Sequence, residues 1–195
     1  MKHLPWVASV VLAGARLYAG APMTEQERDR VVAHFQMTES WLSDEVSHLS
    51  PAQLDFHSKP GTWSIRDVVE HLDIAEPGYW KALQESLKRT SHKKRDDTDA
   101  DVLWYGIDRT NHQKTSPSEE PKGELTDFQS GMDAFHRLRA TMLAYAKSTN
   151  DDLRGHRLLD TGTDLYQWLL EISTHSQRHI LQIREIKANP AFPKS

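Results

Sequence analysis

Four stretches of this 195-residue chain repeat their apolar residues at the three-and-four spacing of an α-helix, and none shows the period-two alternation of a strand. The first runs from about Thr24 to Leu49, with Glu27 at the capping-box position after Thr24 and Val31, Phe35, Leu42, Val46 and Leu49 on one stripe. Ser50-Pro51 is expected to end it. Ser64, with Asp67 three residues on, caps a second segment to about Arg89 that carries Ile65, Val68, Leu72, Ala75, Tyr79 and Leu83 and is expected to kink at Pro77. A third spans about Thr126 to Lys147, with Phe128, Met132, Phe135, Leu138, Met142 and Tyr145. The fourth spans about Thr163 to Lys187, with Leu165, Trp168, Ile172, Ile183 and Ile186, and stops before Asn189-Pro190. Four one-sided helices bury their stripes most simply against one another, so the expected fold is all-α, a four-helix bundle.

The connection from Thr90 to Leu125 is polar and long enough for a crossover along the bundle between the second and third helices. Its apolar anchor, Val102, Leu103, Trp104, Tyr105 and Ile107, either packs over the bundle or lines a pocket mouth. Residues 1–22 have a different character: Lys2, an apolar run from Leu4 to Ala15, and small residues at Ala19, Gly20 and Ala21 read as a signal peptide ahead of a bundle domain over 23–195. The run is too short to anchor the mature chain in a membrane. A periplasmic or secreted location is expected on this reading, and a cytoplasmic one if Met23 is the true start.

Composition narrows the chemistry. A net charge of −4 offers no general attraction for a polyanion, which sets nucleic acid aside as a partner. With no cysteine, disulfides, thiolate nucleophiles and sulfur-ligated metals are excluded, and any metal must be held by imidazole and oxygen. Eleven histidines supply the imidazole.

Three of them fall where a ligand would. On the fourth segment the apolar positions recur at 165, 168, 172, 175, 179, 183 and 186, and two of these are His175 and His179, one turn apart on the same face. On the second, His71 sits at the edge of the stripe beside Val68, Ala75, Gly78 and Ala82, mostly small residues that leave room for a ring. Two facing helices would thus bring three imidazoles together, filling three corners of a tetrahedral site and leaving the fourth for water or substrate. Asp67 and Glu171, each one turn ahead of a histidine, and Gln182 are candidates to orient the rings from behind. Arg178 borders the same face, within reach of a substrate.

Other metal patterns fit less well. A thermolysin-like site needs Glu directly after the first His of the pair, where this chain has Ser176. A di-iron bundle needs two Glu-x-x-His copies. Glu45-x-x-His48 is one, but the nearest second is Asp133-x-x-His136. His34, His57, His92, His112, His136 and His156 show no convergent spacing and read as surface or loop residues.

Leu49-Ser50-Pro51-Ala52-Gln53-Leu54, Trp63-Ser64-Ile65 ahead of His71-Leu72, and the run from His175 to Ile183 resemble the DinB (DinB/YfiT-like) family over about Thr24 to Pro193. The resemblance implies a bundle with a long crossover between helices two and three, frequently a homodimer. It also implies one divalent metal on His71, His175 and His179. Zinc or nickel is foremost and iron or manganese also suits the donors. Relatives include metal-dependent hydrolases, and transferases and isomerases that use a small cellular thiol. An exported chain would find such thiols scarce, so the expected activity is hydrolysis of an unidentified small molecule by a metal-held water. The alternatives are thiol transfer from a cytosolic chain and a non-catalytic metal-binding interaction module.

Overall fold

The computed structural model describes residues 21–111 and 113–194. The expected leader lies outside them except for Ala21 and Pro22, as does His112. The Thr24 capping box forms as expected: the Glu27 N–H donates to Thr24 Oγ1 at 3.2 Å and the Thr24 N–H to Glu27 Oε2 at 2.9 Å, opening α1 (Glu25–Val46). This helix stops short of Leu49: Ser47 already turns extended at ψ 138°, His48 follows in the left-handed region at φ 60°, and Ser50 then caps a further short helix, α2 (Pro51–Leu54). Pro51 starts that helix without loss, since the first-turn N–H it lacks would have no partner. The Ser64 box opens α3 (Ile65–Lys88), which runs through Pro77.

The crossover departs from the expected irregular stretch. Thr98 and Asp101 form another capping box and start α4 (Asp99–Tyr105), which packs on the last helix of the chain. Val102 is buried there, whereas Trp104 and Ile107 face outward. Gly106 permits the close approach: a Cβ at that position would lie 2.8 Å from Gln177 Oε1 and from Thr174 Cβ. Behind Asp127 and Asp164 follow α5 (Phe128–Ser148) and α6 (Leu165–Lys187). Both α1 and α3 pack against both α5 and α6, completing the four-helix bundle. Among the described residues no strand occurs and no helix is long and apolar enough to cross a membrane.

The core is divided in two. Phe35, Leu83, Met142, Leu165 and Leu169 belong to one apolar cluster, and Leu42, Ile65, Leu72, Phe135 and Ile180 to the other. Between them each long helix contributes a buried polar side chain at the same level: Thr38, Glu76, Arg139, and Ser173 with Ser176. Arg139 Nη2 donates to both Glu76 oxygens, at 3.1 and 3.2 Å, and to Ser176 Oγ at 2.8 Å. The Ser176 hydroxyl in turn donates to Glu76 Oε1. The Arg139 guanidinium lies 4.6 Å from the Phe35 ring centre and 4.9 Å from that of Phe135, so aromatic faces cover the cation where Nε and Nη1 have no hydrogen-bond partner. His34, expected at the surface, instead reaches inward, its Nδ1 2.7 Å from Ser173 Oγ. Removing one partner of a buried pair leaves the other charge dry and unpaired. Arg139→Met should therefore lower unfolding free energy in urea by about 3–5 kcal/mol, and adding Glu76→Leu should recover most of the loss.

Candidate metal centre

His71 from α3 and His175 and His179 from α6 meet within the bundle, each ring less than a tenth exposed. His71 Nε2 lies 3.0 Å from His175 Nε2, and His179 Nε2 lies 3.2 Å from the same atom. A tetrahedral ion with metal–nitrogen bonds of 2.0–2.1 Å separates its ligand nitrogens by about 3.3–3.4 Å, so the rings already stand near ligating distance. The outer nitrogens fix which atom is free. His71 Nδ1 lies 2.7 Å from the Glu119 carbonyl oxygen, which can only accept, and His179 Nδ1 lies 2.9 Å from Gln182 Oε1. Both Nδ1 atoms therefore carry the proton, and both Nε2 lone pairs point to the shared volume. His175 Nδ1 is buried without a partner. Among the described residues these three alone form a group able to hold a metal ion, with no carboxylate joining them.

Lone pairs directed at one another repel, and a cation between them would remove that repulsion. Burial, reinforced by the neighbouring imidazoles, pushes His175 well below the usual histidine range and His179 down to about 3. His71 is also lowered, by burial, against the pull of the Glu119 carbonyl. The donors are accordingly neutral across the physiological range, the state a metal requires.

The cluster forms part of the wall of a cleft of about 580 Å³. Trp63 stacks on His179 with ring centres 5.9 Å apart and planes 18° apart, and it also lies 4.9 Å from His71. Tyr79 lies 5.2 Å from His175 and its hydroxyl donates to Glu119 Oε2 at 3.3 Å. Tyr105, Arg109 and Gln182 line the same space, so part of the expected apolar anchor does reach a pocket. Arg178, which borders the cleft, is committed to main-chain carbonyls of Tyr105, Asp108 and Asn111.

Of the three orienting candidates, only Gln182 meets its histidine. Asp67 serves the helix cap, accepting from the Ser64 N–H at 2.8 Å and the Ser64 hydroxyl at 2.9 Å. Glu171 faces α4 and the preceding chain, 3.5 Å from Arg95 Nη1. Spacing of one turn puts a carboxylate on the same side of its helix, but the neighbouring element decides its partner. Sequence reasoning missed the main-chain oxygen of Glu119, which carries no residue-type signal, and Glu70, whose buried carboxylate accepts from the main-chain N–H groups of Lys122, Gly123 and Glu124 at 2.9–3.0 Å. An acid between Val69 and His71 in an otherwise apolar run was the available sign. The di-iron alternative finds no support: Glu45 pairs with Arg184 and Lys187, and His136 with Glu39.

These features define a class: a four-helix-bundle protein with a three-histidine cluster open to a cleft. The DinB superfamily pattern matches residues 23–183, and the chain belongs to that superfamily. It is 28% identical over 156 residues to the uncharacterized protein YuaE of Bacillus subtilis (strain 168), covering 76% of this chain and 91% of YuaE. Among solved structures it is similar to YfiT from Bacillus subtilis, with a TM-score of 0.61 and 19% identity over 88% of this chain and 91% of that one. YfiT is described as a probable metal-dependent hydrolase with an unusual four-helix bundle topology. At that identity the likeness establishes the fold.

The lowered histidines set a pH dependence for the metal-free chain. Below about pH 6.5 the unfolded state takes up protons on these imidazoles that the folded state refuses, so the stability they confer is complete above that pH and drains away as pH falls toward their folded values. Between pH 6.5 and 4, metal-free wild type should lose stability faster than a His175→Gln/His179→Gln variant. The difference in slope should be up to about 1.4 kcal/mol per pH unit for each imidazole removed, read from urea titrations.

Proposed function

We propose that this protein is a metal-dependent hydrolase in which His71, His175 and His179 are the protein ligands of one divalent transition metal, zinc or nickel foremost, with iron or manganese suited to the same donors. The observation that carries this reading is the set of three neutral imidazole donors on the wall of an open cleft, with no fourth protein ligand among the described residues. A divalent cation in such a site acidifies water and polarises a carbonyl. The rest of the work falls to the chain. The Glu119 carbonyl and the Gln182 side chain hold two rings in the ligating tautomer, and Trp63 and Tyr79 narrow the approach to a small acyl compound such as an ester or amide. The description of YfiT agrees with this reading. A purely structural cross-link between α3 and α6 would call for a closed coordination sphere, and the cleft favours catalysis.

Purified protein should carry close to one divalent metal per chain by elemental analysis, and His179→Ala should lose it together with hydrolysis of p-nitrophenyl esters. The fall should exceed the roughly 10–100-fold that loss of an outer partner costs. A metal-free wild type, or a His179→Ala variant that keeps metal and rate, overturns the assignment. Export of the mature chain and a homodimeric state belong to the same proposal, read by N-terminal sequencing and sedimentation. A mature chain starting at Met23 inside the cell, with metal-dependent conjugation of an electrophile to a supplied thiol, would favour thiol transfer instead.

A further inference from the structure

Glu70 is adjacent to His71 in sequence, yet its side chain is directed to the crossover. It is 4% exposed, and its carboxylate caps a turn of the crossover, one oxygen accepting from Lys122 and Glu124 N–H and the other from Gly123 N–H, at 2.9–3.0 Å. Gly123 adopts φ +73°, a left-handed conformation that helps direct three consecutive N–H groups inward to one anion. The same segment carries Glu119, whose carbonyl oxygen accepts from His71 Nδ1 at 2.7 Å and whose carboxylate accepts from Tyr79. From these contacts we infer that Glu70 is a positioning residue for His71, acting through the crossover. The carboxylate fixes the 122–124 turn, the turn places the Glu119 carbonyl, and the carbonyl holds the proton on Nδ1 so that Nε2 presents its lone pair. This inference rests on the proposed metal site for its functional meaning, but the geometry it describes exists without the ion.

Glu70→Gln tests it, since the amide keeps the shape but replaces one acceptor oxygen with a donor facing main-chain N–H groups. Arg154→Met is the control for destabilisation alone, because Arg154 ties Glu27, Asp99 and Asp164 together and lies outside the cleft lining. In folded Glu70→Gln protein the amides of 122–124 should lose hydrogen-exchange protection at least tenfold, and the His71 Nδ1 proton should disappear from the NMR spectrum. Zinc affinity should drop about 10–100-fold, and the visible bands of the cobalt(II)-loaded protein should shift. Glu70→Asp should fall between the two. Arg154→Met should retain the Nδ1 proton and wild-type zinc affinity. The inference fails if Glu70→Gln keeps both the Nδ1 proton and wild-type zinc affinity, or if Arg154→Met loses as much as Glu70→Gln. Should wild type bind neither zinc nor cobalt, the hydrolase reading falls, and the Nδ1 proton alone decides: its loss in Glu70→Gln upholds the positioning role, and its persistence ends it.

Discussion

A guanidinium buried between two phenylalanine rings, held to a single carboxylate, sets the level at which everything else in this bundle is organised. An unpaired charge at that depth would be prohibitively unstable, so Arg139 on α5 and Glu76 on α3 must face each other, and Ser176 on α6 must be within reach of both. Apolar packing alone tolerates many rotations and slips of a helix. A hydrogen-bonded ion pair tolerates few, and this one lies next to the histidine cluster: Ser176 follows His175 directly, and Glu76 lies on the helix that carries His71. Burial pushes the Glu76 carboxyl up, and Arg139 opposes that push, so the pair survives only as a pair.

The crossover gives the site its outer wall, and it is held from two directions by charged side chains. Glu70 gathers main-chain N–H groups at one place and Arg178 gathers main-chain carbonyls at another. Each is the sequence neighbour of a candidate ligand, His71 or His179. Adjacent residues on a helix point about 100° apart, so one looks into the histidine cluster while the other looks at the segment that covers it. Fixing either helix fixes both layers.

The fold was legible because it is written in periodicity and caps. Thr24 with Glu27, and Ser64 with Asp67, place helix starts to within a residue, and the stripes containing Phe35, Leu72, Phe135 and Ile183 identify the inward faces. The histidine triplet was legible for the same reason, since a polar residue in an apolar stripe stands out. Helix α4 escaped because a helix of so few residues gives periodicity almost nothing to work on, and its Thr98–Asp101 box is seen for what it is only once the helix is known. Of the partners behind the rings, Gln182 was legible one turn from His179, and the others escaped for a different reason. Asp67 and Glu171 satisfied a spacing rule but found other work, on a cap and on Arg95, whereas the Glu119 acceptor is a peptide oxygen brought from far along the chain. Long-range encounters of that kind are properties of the packed chain and leave no local trace.

Two of the gathered rings ride on one helix and the third on another, which makes the cluster a gauge of how α3 and α6 are aligned lengthwise. Advancing either helix by one residue shifts its side chains by about 1.5 Å, whereas metal–ligand distances hold to within about 0.2 Å. An ion seated there would act like a dowel pin driven through two sliding rods, accepting one alignment and rejecting its neighbours. Occupancy would then report on the mechanical state of the whole bundle, far beyond the few atoms it touches.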